Sequence, residues 1–285
     1  MLYRTDGTLL DRKVFPVSDG EAFLQAGRDA SLLVMSGRVV SARNDAIVIR
    51  PFDTFSVTGA RVDAEGRWAA TVVFRDGDVA LVAGEGDDWN AYTLITSSGR
   101  AGAELYDPVR SPEGGMVACI DAAEQNILIA TADGETTLSI AAGEFGLPGW
   151  LMFLDEETLC ALWVNGTLRC YDAHTGEELR IKETWSNPVG SIFRGMMRTE
   201  RGGLVVLNRG YGLLLDAKTL AVCAEFPYFL CPAEGGEKII SRVDSVYEEG
   251  KDRDSAGYYI GDVLDTKELL FLSEWFLQGM QGNRK

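Results

Sequence analysis

The sequence lacks most of the residue patterns that carry enzymatic chemistry. Its single histidine, His174, excludes metal sites built from several histidines and gives little support to a Ser-His-Asp triad. Neither a Gly-x-Ser-x-Gly elbow nor a Gly-x-x-x-x-Gly-Lys phosphate loop occurs. The apolar runs are shorter than the roughly 20 residues that a membrane helix needs. The sequence therefore predicts no catalytic residue, no cofactor and no metal site, and it leaves open whether the protein is an enzyme.

Positive charge is also scarce. The chain has 27 Lys and Arg residues against 43 Asp and Glu residues, which gives a net charge of −16. Such a surface repels nucleic acid and anionic membranes, so we expect neither as a partner. The acidity either serves solubility or attracts a basic protein or peptide to a protein that we expect to be a monomer.

Two polar features could suggest a metal site, but the surrounding sequence does not support one in either case. Gly84–Asp88 places three carboxylates close together, but it lacks the twelve-residue calcium-loop pattern with its terminal glutamate. We predict a solvated loop between strands at this point. His174 falls within a predicted hairpin turn, where we expect an exposed side chain.

The five cysteines are Cys119, Cys160, Cys170, Cys223 and Cys231. Asn165-Gly166 is a strong signal for a two-residue hairpin turn, which would place Cys160 opposite Tyr171. Because side chains alternate between the faces of a strand, the sulfurs of Cys160 and Cys170 would then point to opposite faces. The sequence therefore predicts five reduced thiols and no disulfide.

The beginning of the chain also bears on location. Met1–Gly7 reads as a strand entering a turn, without the basic and apolar segments of a signal peptide. Together with the predicted free thiols, this pattern leads us to expect a cytoplasmic protein.

Helical periodicity is nearly absent from the chain. Short apolar or alternating runs alternate with turn signals such as Asp76-Gly77 and Arg209-Gly210. The clearest runs are Trp68–Phe74, Val79–Val82, Met116–Ile120, Ile127–Ala130, Leu159–Trp163 and Leu204–Leu207. Many short strands with glycine-rich turns predict an all-β fold. The one helix candidate is the tail segment Ser273–Gln278.

A repeat distinguishes among the all-β architectures. Polar turns that end at Gly66, Gly114, Glu157 and Gly202 precede strong strands, and these ends are 48, 43 and 45 residues apart. A unit of about 46 residues with about four strands matches one blade of a β-propeller. We predict a single six-bladed propeller with approximate blades 11–55, 56–103, 104–148, 149–192, 193–238 and 239–285. Residues 1–10 and the stretch Leu9–Val17 are candidates for closing the ring, and a seventh blade is possible if Ala46–Phe55 belongs to an extra one.

Two turns carry a resemblance to known propeller families. The Ser111-Pro112-Glu113-Gly114 turn resembles the Ser-Pro-Asp-Gly turn of WD-like and TolB-type propellers. Asp172–Glu177 resembles the Asp-x-x-Thr-Gly-Glu hairpin of quinoprotein-like and YVTN-type propellers. These motifs specify turns, so the resemblance implies the fold and carries no function. No Trp-Asp dipeptide ends a strand, which is a departure from true WD repeats.

Aromatic and arginine side chains in predicted loops are the best indication of function. The candidate binding residues are Trp185, Arg209, Tyr211, Tyr228 and Phe229, carried mainly by the connections Glu183–Gly190 and Phe226–Glu237. Aromatic residues and arginine often carry the energy of protein interfaces. The sequence therefore favours a non-catalytic propeller that binds a protein or peptide. Two alternatives remain: a lactonase-like or glycosidase-like hydrolase with an acid or metal site in the tunnel, and an intracellular ligand sensor or inhibitor.

Overall fold

The computed structural model shows a chain built almost wholly of β-strands. It describes residues 2–3, 8–13, 22–26, 31–43, 46–62, 66–86, 88–96, 104–132, 137–182, 193–198, 203–208, 211–227, 229–233, 238–243 and 257–262. Within these ranges there are 25 strands and one three-residue 3-10 helix, Gly143–Phe145. No helix in these ranges is long and apolar enough to cross a membrane. The predicted tail helix Ser273–Gln278 lies outside them.

The first half of the chain forms a short ladder followed by three antiparallel sheets of four strands each. The ladder pairs β1 (Leu2–Tyr3) with β2 (Leu9–Asp11). The first sheet contains β3 (Ala22–Ala26), β4 (Ser31–Met35), β5 (Gly37–Arg43) and β6 (Ala46–Phe52). The second contains β7 (Thr54–Val62), β8 (Arg67–Phe74), β9 (Val79–Glu85) and β10 (Asp88–Thr96). The third contains β11 (Leu105–Arg110), β12 (Met116–Asp121), β13 (Asn126–Thr131) and β14 (Thr137–Ala141).

Three further sheets follow in the second half. The fourth contains β15 (Trp150–Phe153), β16 (Thr158–Leu162), β17 (Leu168–Asp172) and β18 (Glu178–Lys182). The fifth contains β19 (Phe193–Arg198), β20 (Gly203–Asn208), β21 (Tyr211–Asp216) and β22 (Val222–Pro227). The sixth has three strands within the described residues, β23 (Phe229–Ala233), β24 (Lys238–Val243) and β25 (Gly257–Asp262). Successive four-stranded antiparallel sheets are the building blocks of a propeller, so the predicted β-propeller class is confirmed at the level of the fold.

The chain divides into two compact units. The first unit is Met1–Ala161 with Cys170–Leu179, and the second is Leu162–Arg169 with Arg180–Lys285. The first three sheets belong to the first unit, and the fifth and sixth belong to the second. The six-blade count and the blade boundaries stay predictions, and so does the ring-closing role of the N-terminal stretch, of which Leu9–Asp11 pairs with β1.

Continuous apolar runs form the middle strands because both faces of the second sheet are covered. Along β8, Trp68, Ala70 and Val72 pack into a core shared with the first sheet. Ala69, between them, packs on the opposite face into a core shared with the third sheet. The strand β9 alternates in the same way, with Val82 in the first core and neighbouring positions in the second. A strand that is buried on both faces reads as an apolar run rather than as an alternating one.

Trp68 is the largest fully buried side chain of the first core, and it depends on a glycine beside it. The Trp68 indole N–H donates to the Gly86 carbonyl at 3.1 Å, and the Phe52 ring meets the indole edge-on at 6.0 Å between centroids. A Cβ atom on Gly84 would lie 2.4 Å from the indole carbons. Any larger residue at this position would therefore displace the indole from its core.

The two turns that suggested the family resemblance have the predicted hairpin geometry. At Asp172–Glu177, the Asp172 carboxylate accepts hydrogen bonds from the His174 and Thr175 N–H groups at 2.9 and 2.8 Å. Gly176 follows with a φ of 77°, in the left-handed region that favours glycine. His174 is exposed in this turn, as predicted.

The prediction of five reduced thiols is wrong, because Cys160 and Cys170 form a disulfide. The Trp163 N–H donates to the Thr167 carbonyl at 2.8 Å, so the hairpin loop has three residues rather than two. Gly166 ends this loop with a φ of 93°, which is the glycine position of a three-residue hairpin with a bulge. The extra loop residue shifts the register by one and places Cys160 opposite Cys170.

The corrected register also explains the geometry around the bridge. Three steps from the hydrogen-bonded Trp163–Thr167 pair, the two cysteines occupy a non-hydrogen-bonded position, where opposite Cα atoms come closest. Their Cα atoms are 4.2 Å apart, and both residues are fully buried. The shift also places Arg169 on the face of Trp163, with the guanidinium carbon 5.7 Å from the ring centroid. Cys119 is a buried free thiol, and Cys223 is an exposed one.

Three expected irregular segments are regular in the structure. Ala46–Phe52 is the outer strand of the first sheet, so this stretch does not start an extra blade. Gly84 and Glu85 end β9, and Asp88 begins β10, so three of the five residues of the expected acidic loop belong to strands. The prediction of a long loop at Phe226–Glu237 is also wrong, because β22 extends to Pro227 and β23 spans Phe229–Ala233.

Candidate functional site

The fifth sheet brings four chain segments together at one end. We call the end where a sheet's second strand turns into its third strand the second-turn end. In the fifth sheet, Phe193 pairs with Asn208, Asn208 with Tyr211, and Tyr211 with Pro227. These four residues therefore form one row across the sheet at its second-turn end, which we call the fifth-sheet row.

Two of the predicted binding residues begin strands. Tyr211 is a member of the fifth-sheet row and the first residue of β21, while Phe229 is the first residue of β23. Only Tyr228 separates Phe229 from Pro227, the last residue of the row. Both predicted residues therefore lie in strands, although the sequence had assigned Phe229 to a loop.

The other three predicted binding residues, Trp185, Arg209 and Tyr228, lie outside the described residues. Their neighbours along the chain are described, however. Arg209 belongs to the two-residue connection between Asn208 and Tyr211, and Trp185 belongs to the connection that leads from β18 to Phe193. All three chain segments thus enter or leave the fifth-sheet row, and the binding role of these residues stays a prediction.

A partly buried ion pair that sequence reasoning missed links the first strands of three consecutive sheets. The Arg61 Nη2 on β7 donates to the Asp107 Oδ1 on β11 at 2.5 Å. The other carboxylate oxygen accepts the Leu151 N–H, while the Arg61 Nη1 donates to the Leu151 carbonyl at 2.9 Å. The two side chains of the ion pair therefore form hydrogen bonds with both the N–H and the carbonyl of Leu151 on β15. A neighbouring strand would bond to the same two main-chain groups.

The local backbone directs the Asp107 side chain toward these partners. Asp107 has a φ of 50°, in the left-handed region that aspartate adopts more readily than most residues. The pairing of β11 with β12 shifts register between Tyr106 and Val109, which marks a bulge. Bulges change the direction in which a side chain points, and they recur next to functional sites.

Burial dominates the electrostatics of this pair. The Asp107 side chain is 13% exposed and the Arg61 side chain is 35% exposed. Desolvation raises the pKa of Asp107, although the Arg61 charge and the Leu151 N–H act in the opposite direction. Both carboxylate oxygens are engaged, so Asp107 serves the packing of three sheets rather than holding a ligand.

The raised pKa of Asp107 predicts a pH dependence of stability. The folded state holds the Asp107 proton more tightly than the unfolded state, so this group contributes most below the unfolded pKa of about 3.9. Its contribution is expected to fall as the pH rises through the folded pKa. The variant Asp107→Asn has no titrating group at this position, so this decrease in stability with rising pH should be absent from it. Urea unfolding at a series of pH values measures the effect.

Asp172 provides a control of opposite sign. Hydrogen bonds from the Thr175 and His174 N–H groups lower the pKa of Asp172. Its contribution to stability is therefore present above the unfolded pKa and is lost as the pH falls through the folded pKa. Asp172→Asn should remove this acid-side loss. Identical pH profiles for the Asp107→Asn variant and the wild type would contradict the assignment.

A second carboxylate joins the third sheet to the fourth at the other end of their strands. Glu156 accepts hydrogen bonds from the Ser111 hydroxyl at 2.7 Å and from the Glu113 and Gly115 N–H groups at 2.5 and 3.2 Å. The Ser111 hydroxyl in turn accepts the Met116 N–H at 2.8 Å. The turn that resembles the Ser-Pro-Asp-Gly motif is therefore held by the next repeat.

The repeat spacing is the signal that could have found these contacts. Arg61 and Asp107 are 46 residues apart, Asp107 and Leu151 are 44 apart, and Ser111 and Glu156 are 45 apart. These separations match the predicted repeat of about 46 residues. Polar residues of opposite character that recur one repeat apart are therefore candidates for contacts between consecutive sheets.

The described part of the chain contains no group of three or more His, Cys, Asp or Glu side chains arranged to hold a metal ion. Asp107, the buried carboxylate on the first strands, is occupied by Arg61 and Leu151. The candidate site that remains is the fifth-sheet row, which contains the aromatic residues Phe193 and Tyr211 and whose members adjoin three connections in the sequence.

Comparison with known proteins bears on the fold alone. No family model matches the chain, and no curated protein matches it. Among solved structures, the chain is similar to BamB from Moraxella catarrhalis, with a TM-score of 0.49 and 14% sequence identity. The similarity covers 76% of this chain and 68% of that one. Function therefore has to be argued from the site itself.

Proposed function

We propose that this protein is a non-catalytic binding propeller that recognises a protein or peptide partner at the second-turn end of its fifth sheet. The observation that supports the proposal is the fifth-sheet row. Its register pairs Phe193, Asn208, Tyr211 and Pro227 across one end of the sheet, and the connections that carry Trp185, Arg209 and Tyr228 adjoin these residues in the sequence. Connections on a rigid strand scaffold vary without unfolding it, which suits them to binding.

The residue types support a protein partner. Tryptophan, tyrosine and arginine are the residues that most often dominate the energy of protein interfaces. The net charge of −16 favours a basic partner, because complementary charge accelerates association and selects among partners. We therefore expect binding to weaken as the salt concentration rises.

The test is capture of partners from the source cell by the wild type and by a Trp185→Ala, Arg209→Ala double variant. Truncating two interface anchors typically costs more than about 2 kcal/mol of binding energy, so the variant should lose most of the captured partner. Quantitative mass spectrometry of the eluates measures the loss.

A matched control removes one apolar side chain and one positive charge elsewhere. Val48 is partly exposed on the outer strand β6, and Lys218 is exposed in the turn between β21 and β22, away from the fifth-sheet row. The Val48→Ala, Lys218→Ala variant should capture the partner as the wild type does. Equal capture by all three proteins would remove Trp185 and Arg209 from the site. Turnover of a sugar lactone by the purified protein would instead support the hydrolase.

A further inference from the structure

The outer strand of the fourth sheet, β18, has an open edge within the part of the chain that the structure describes. The strand order is β15-β16-β17-β18, so β17 pairs with one side of β18 and no described strand pairs with the other. Leu179 and Ile181 alternate with charged residues along β18, and their side chains are 47% and 40% exposed. Apolar side chains on an open edge favour pairing with another strand. The edge of β18 is therefore a candidate interaction surface.

The pairing of β17 with β18 determines which main-chain groups point to this edge. The Asp172 N–H donates to the Glu177 carbonyl at 2.9 Å, just before β18 begins. Along an antiparallel strand, alternate residues bond to the paired strand, and the residues between them direct their main-chain groups to the other side. Glu178, Arg180 and Lys182 therefore direct their N–H and carbonyl groups to the open edge.

The charges of β18 distinguish it from the other outer strands. The outer strands of the five four-stranded sheets are β6, β10, β14, β18 and β22, and among them only β18 carries charges of both signs. Its sequence is Glu-Leu-Arg-Ile-Lys, so the negative charge comes first and a positive charge comes last. Charged residues usually protect an edge strand against pairing. On β18 they permit pairing with an antiparallel copy of the same strand, because the last residue of one copy lies opposite the first residue of the other.

We infer that two copies of this protein pair through β18, in the antiparallel register that is centred on Arg180. Glu178 of each copy then lies opposite Lys182 of the other, and Leu179 of each copy lies opposite Ile181 of the other. The residues that point to the edge form hydrogen-bonded pairs, and each of these pairs exchanges two main-chain hydrogen bonds. Opposite charges and apolar side chains that face each other across two strands stabilise a sheet.

The one unfavourable pair in this register is Arg180 with Arg180 of the other copy. The Arg180 Nη1 donates to the Lys218 carbonyl at 2.7 Å, so each guanidinium has an acceptor within its own chain. A register centred on Ile181 would instead place Arg180 opposite Lys182 twice, and like charges destabilise such pairs. A register centred on Leu179 would leave Ile181 and Lys182 beyond the end of the paired strand. The register centred on Arg180 is the one that pairs all of β18.

The inference goes beyond the proposed function, because β18 belongs to the fourth sheet and the proposed binding site belongs to the fifth. It also replaces the expected monomer by a dimer. Pairing of one short strand from each copy gives a small interface, and small interfaces are typical of weak and transient association. We therefore expect a dimer whose population rises with protein concentration.

Charge reversal tests the pairing without removing an apolar side chain. Glu178→Lys gives β18 a positive charge at both ends, and Lys182→Glu gives it a negative charge at both ends. Each change converts both opposite-charge pairs of the dimer into like-charge pairs, so the dissociation constant should rise by about tenfold or more. Mixing the two variants should restore the dimer, because every end of one strand then lies opposite a charge of the other sign. Sedimentation equilibrium at fixed ionic strength measures all three dissociation constants.

Matched controls carry the same charge changes outside β18. Glu144→Lys replaces an exposed carboxylate in the 3-10 helix, and Lys13→Glu replaces an exposed lysine that follows β2. Both control variants should dimerise as the wild type does. A wild type that stays monomeric at every concentration would overturn the inference. Equal dissociation constants for the charge-reversed and control variants, or a mixture that forms no dimer, would overturn it as well.

A cysteine crosslink tests the register itself. Leu179→Cys and Ile181→Cys are made separately in a Cys223→Ala parent, which lacks the exposed thiol. The two introduced thiols lie in a non-hydrogen-bonded pair, where opposite Cα atoms are about 4.5 Å apart and a disulfide can form. Mixing the two variants under mild oxidation should give a covalent dimer, and the parent should give none. Either variant alone places its two thiols on a diagonal of about 7–8 Å, so a covalent dimer from one variant alone would contradict the register centred on Arg180.

Discussion

Replacing both Cys160 and Cys170 by alanine is expected to lower the free energy of unfolding by about 3 kcal/mol. The bridge closes a loop with a sequence separation of 10 between neighbouring strands, so it removes conformational freedom from the unfolded chain. Both cysteines are fully buried, so the folded state keeps the bridge out of contact with solvent reductants. Urea unfolding with and without a reductant measures the effect, and the reduced wild type should approach the double variant.

A proteolytic map tests the bridge directly. Trypsin cleaves between Arg169 and Cys170, so the bridge would hold two peptides together until a reductant separates them. Cys223 is exposed and unbridged, so Cys223→Ala is the matched control and should change stability by less than about 0.5 kcal/mol. If the two peptides separate without a reductant, the disulfide is absent and the result supports the two-residue turn at Asn165-Gly166.

Truncation of Asp107 to alanine is expected to destabilise the fold by about 2 kcal/mol, which is less than for a fully buried pair because the Arg61 side chain is 35% exposed. The change leaves the Leu151 N–H without its carboxylate partner and leaves the Arg61 guanidinium, two thirds buried, without its counter-charge. An unpaired buried charge costs much more than the net gain from the pair itself, because its desolvation is no longer offset. The midpoint of urea unfolding measures the loss at neutral pH.

The control for this variant is an exposed ion pair in the same unit. Asp53 pairs with Arg75 at 2.9 Å, but both side chains are more than 70% exposed. Exposed pairs contribute little, so Asp53→Ala should shift stability by less than about 1 kcal/mol. A similar effect of the two substitutions would show that the Asp107 pair does not link the three sheets.

The strands of this protein could be predicted from its sequence because the sheets cover one another. Runs such as Trp68–Phe74 and Met116–Ile120 lie in middle strands, where apolar side chains fill the cores on both faces. The turns at Ser111–Gly114 and Asp172–Glu177 could be predicted as well, since their polar side chains bond to their own backbone. Local chemistry was sufficient in both cases.

The hairpin register could not be predicted from the Asn165-Gly166 dipeptide alone. Asparagine followed by glycine fits a two-residue turn, but glycine also fits the last position of a three-residue loop. The choice between them depends on which faces of β16 and β17 the neighbouring sheets cover. A change of one residue in the loop length shifts the strand register by one and reverses which face each side chain is predicted to occupy. The two-residue turn therefore predicted that Cys160 and Cys170 point to opposite faces and form no disulfide.

The site was harder to predict than the strands, for a related reason. Phe229 was expected in the loop Phe226–Glu237, yet β22 ends at Pro227 and β23 includes Pro232. The contact of Asp107 with Arg61 depends on two strands that are distant in sequence, and nothing local to either residue indicates it. Only the repeat period connects such residues in the sequence. The period predicts which segments form successive sheets, but it does not predict which side chains are in contact.

The spacing of the contacts between sheets has a consequence for folding kinetics. In the first unit, several hydrogen bonds from one sheet to the next join residues about one repeat apart, as between Gly115 and Glu156, 41 positions apart, or Thr58 and Leu105, 47 positions apart. Each such contact closes a loop of about one repeat, and the entropy cost of closing a loop grows only slowly with its length. Neighbouring sheets can therefore nucleate and grow by nearest-neighbour addition, as in linear repeat proteins. The folding rate of this unit should follow the length of one repeat more closely than the length of the chain.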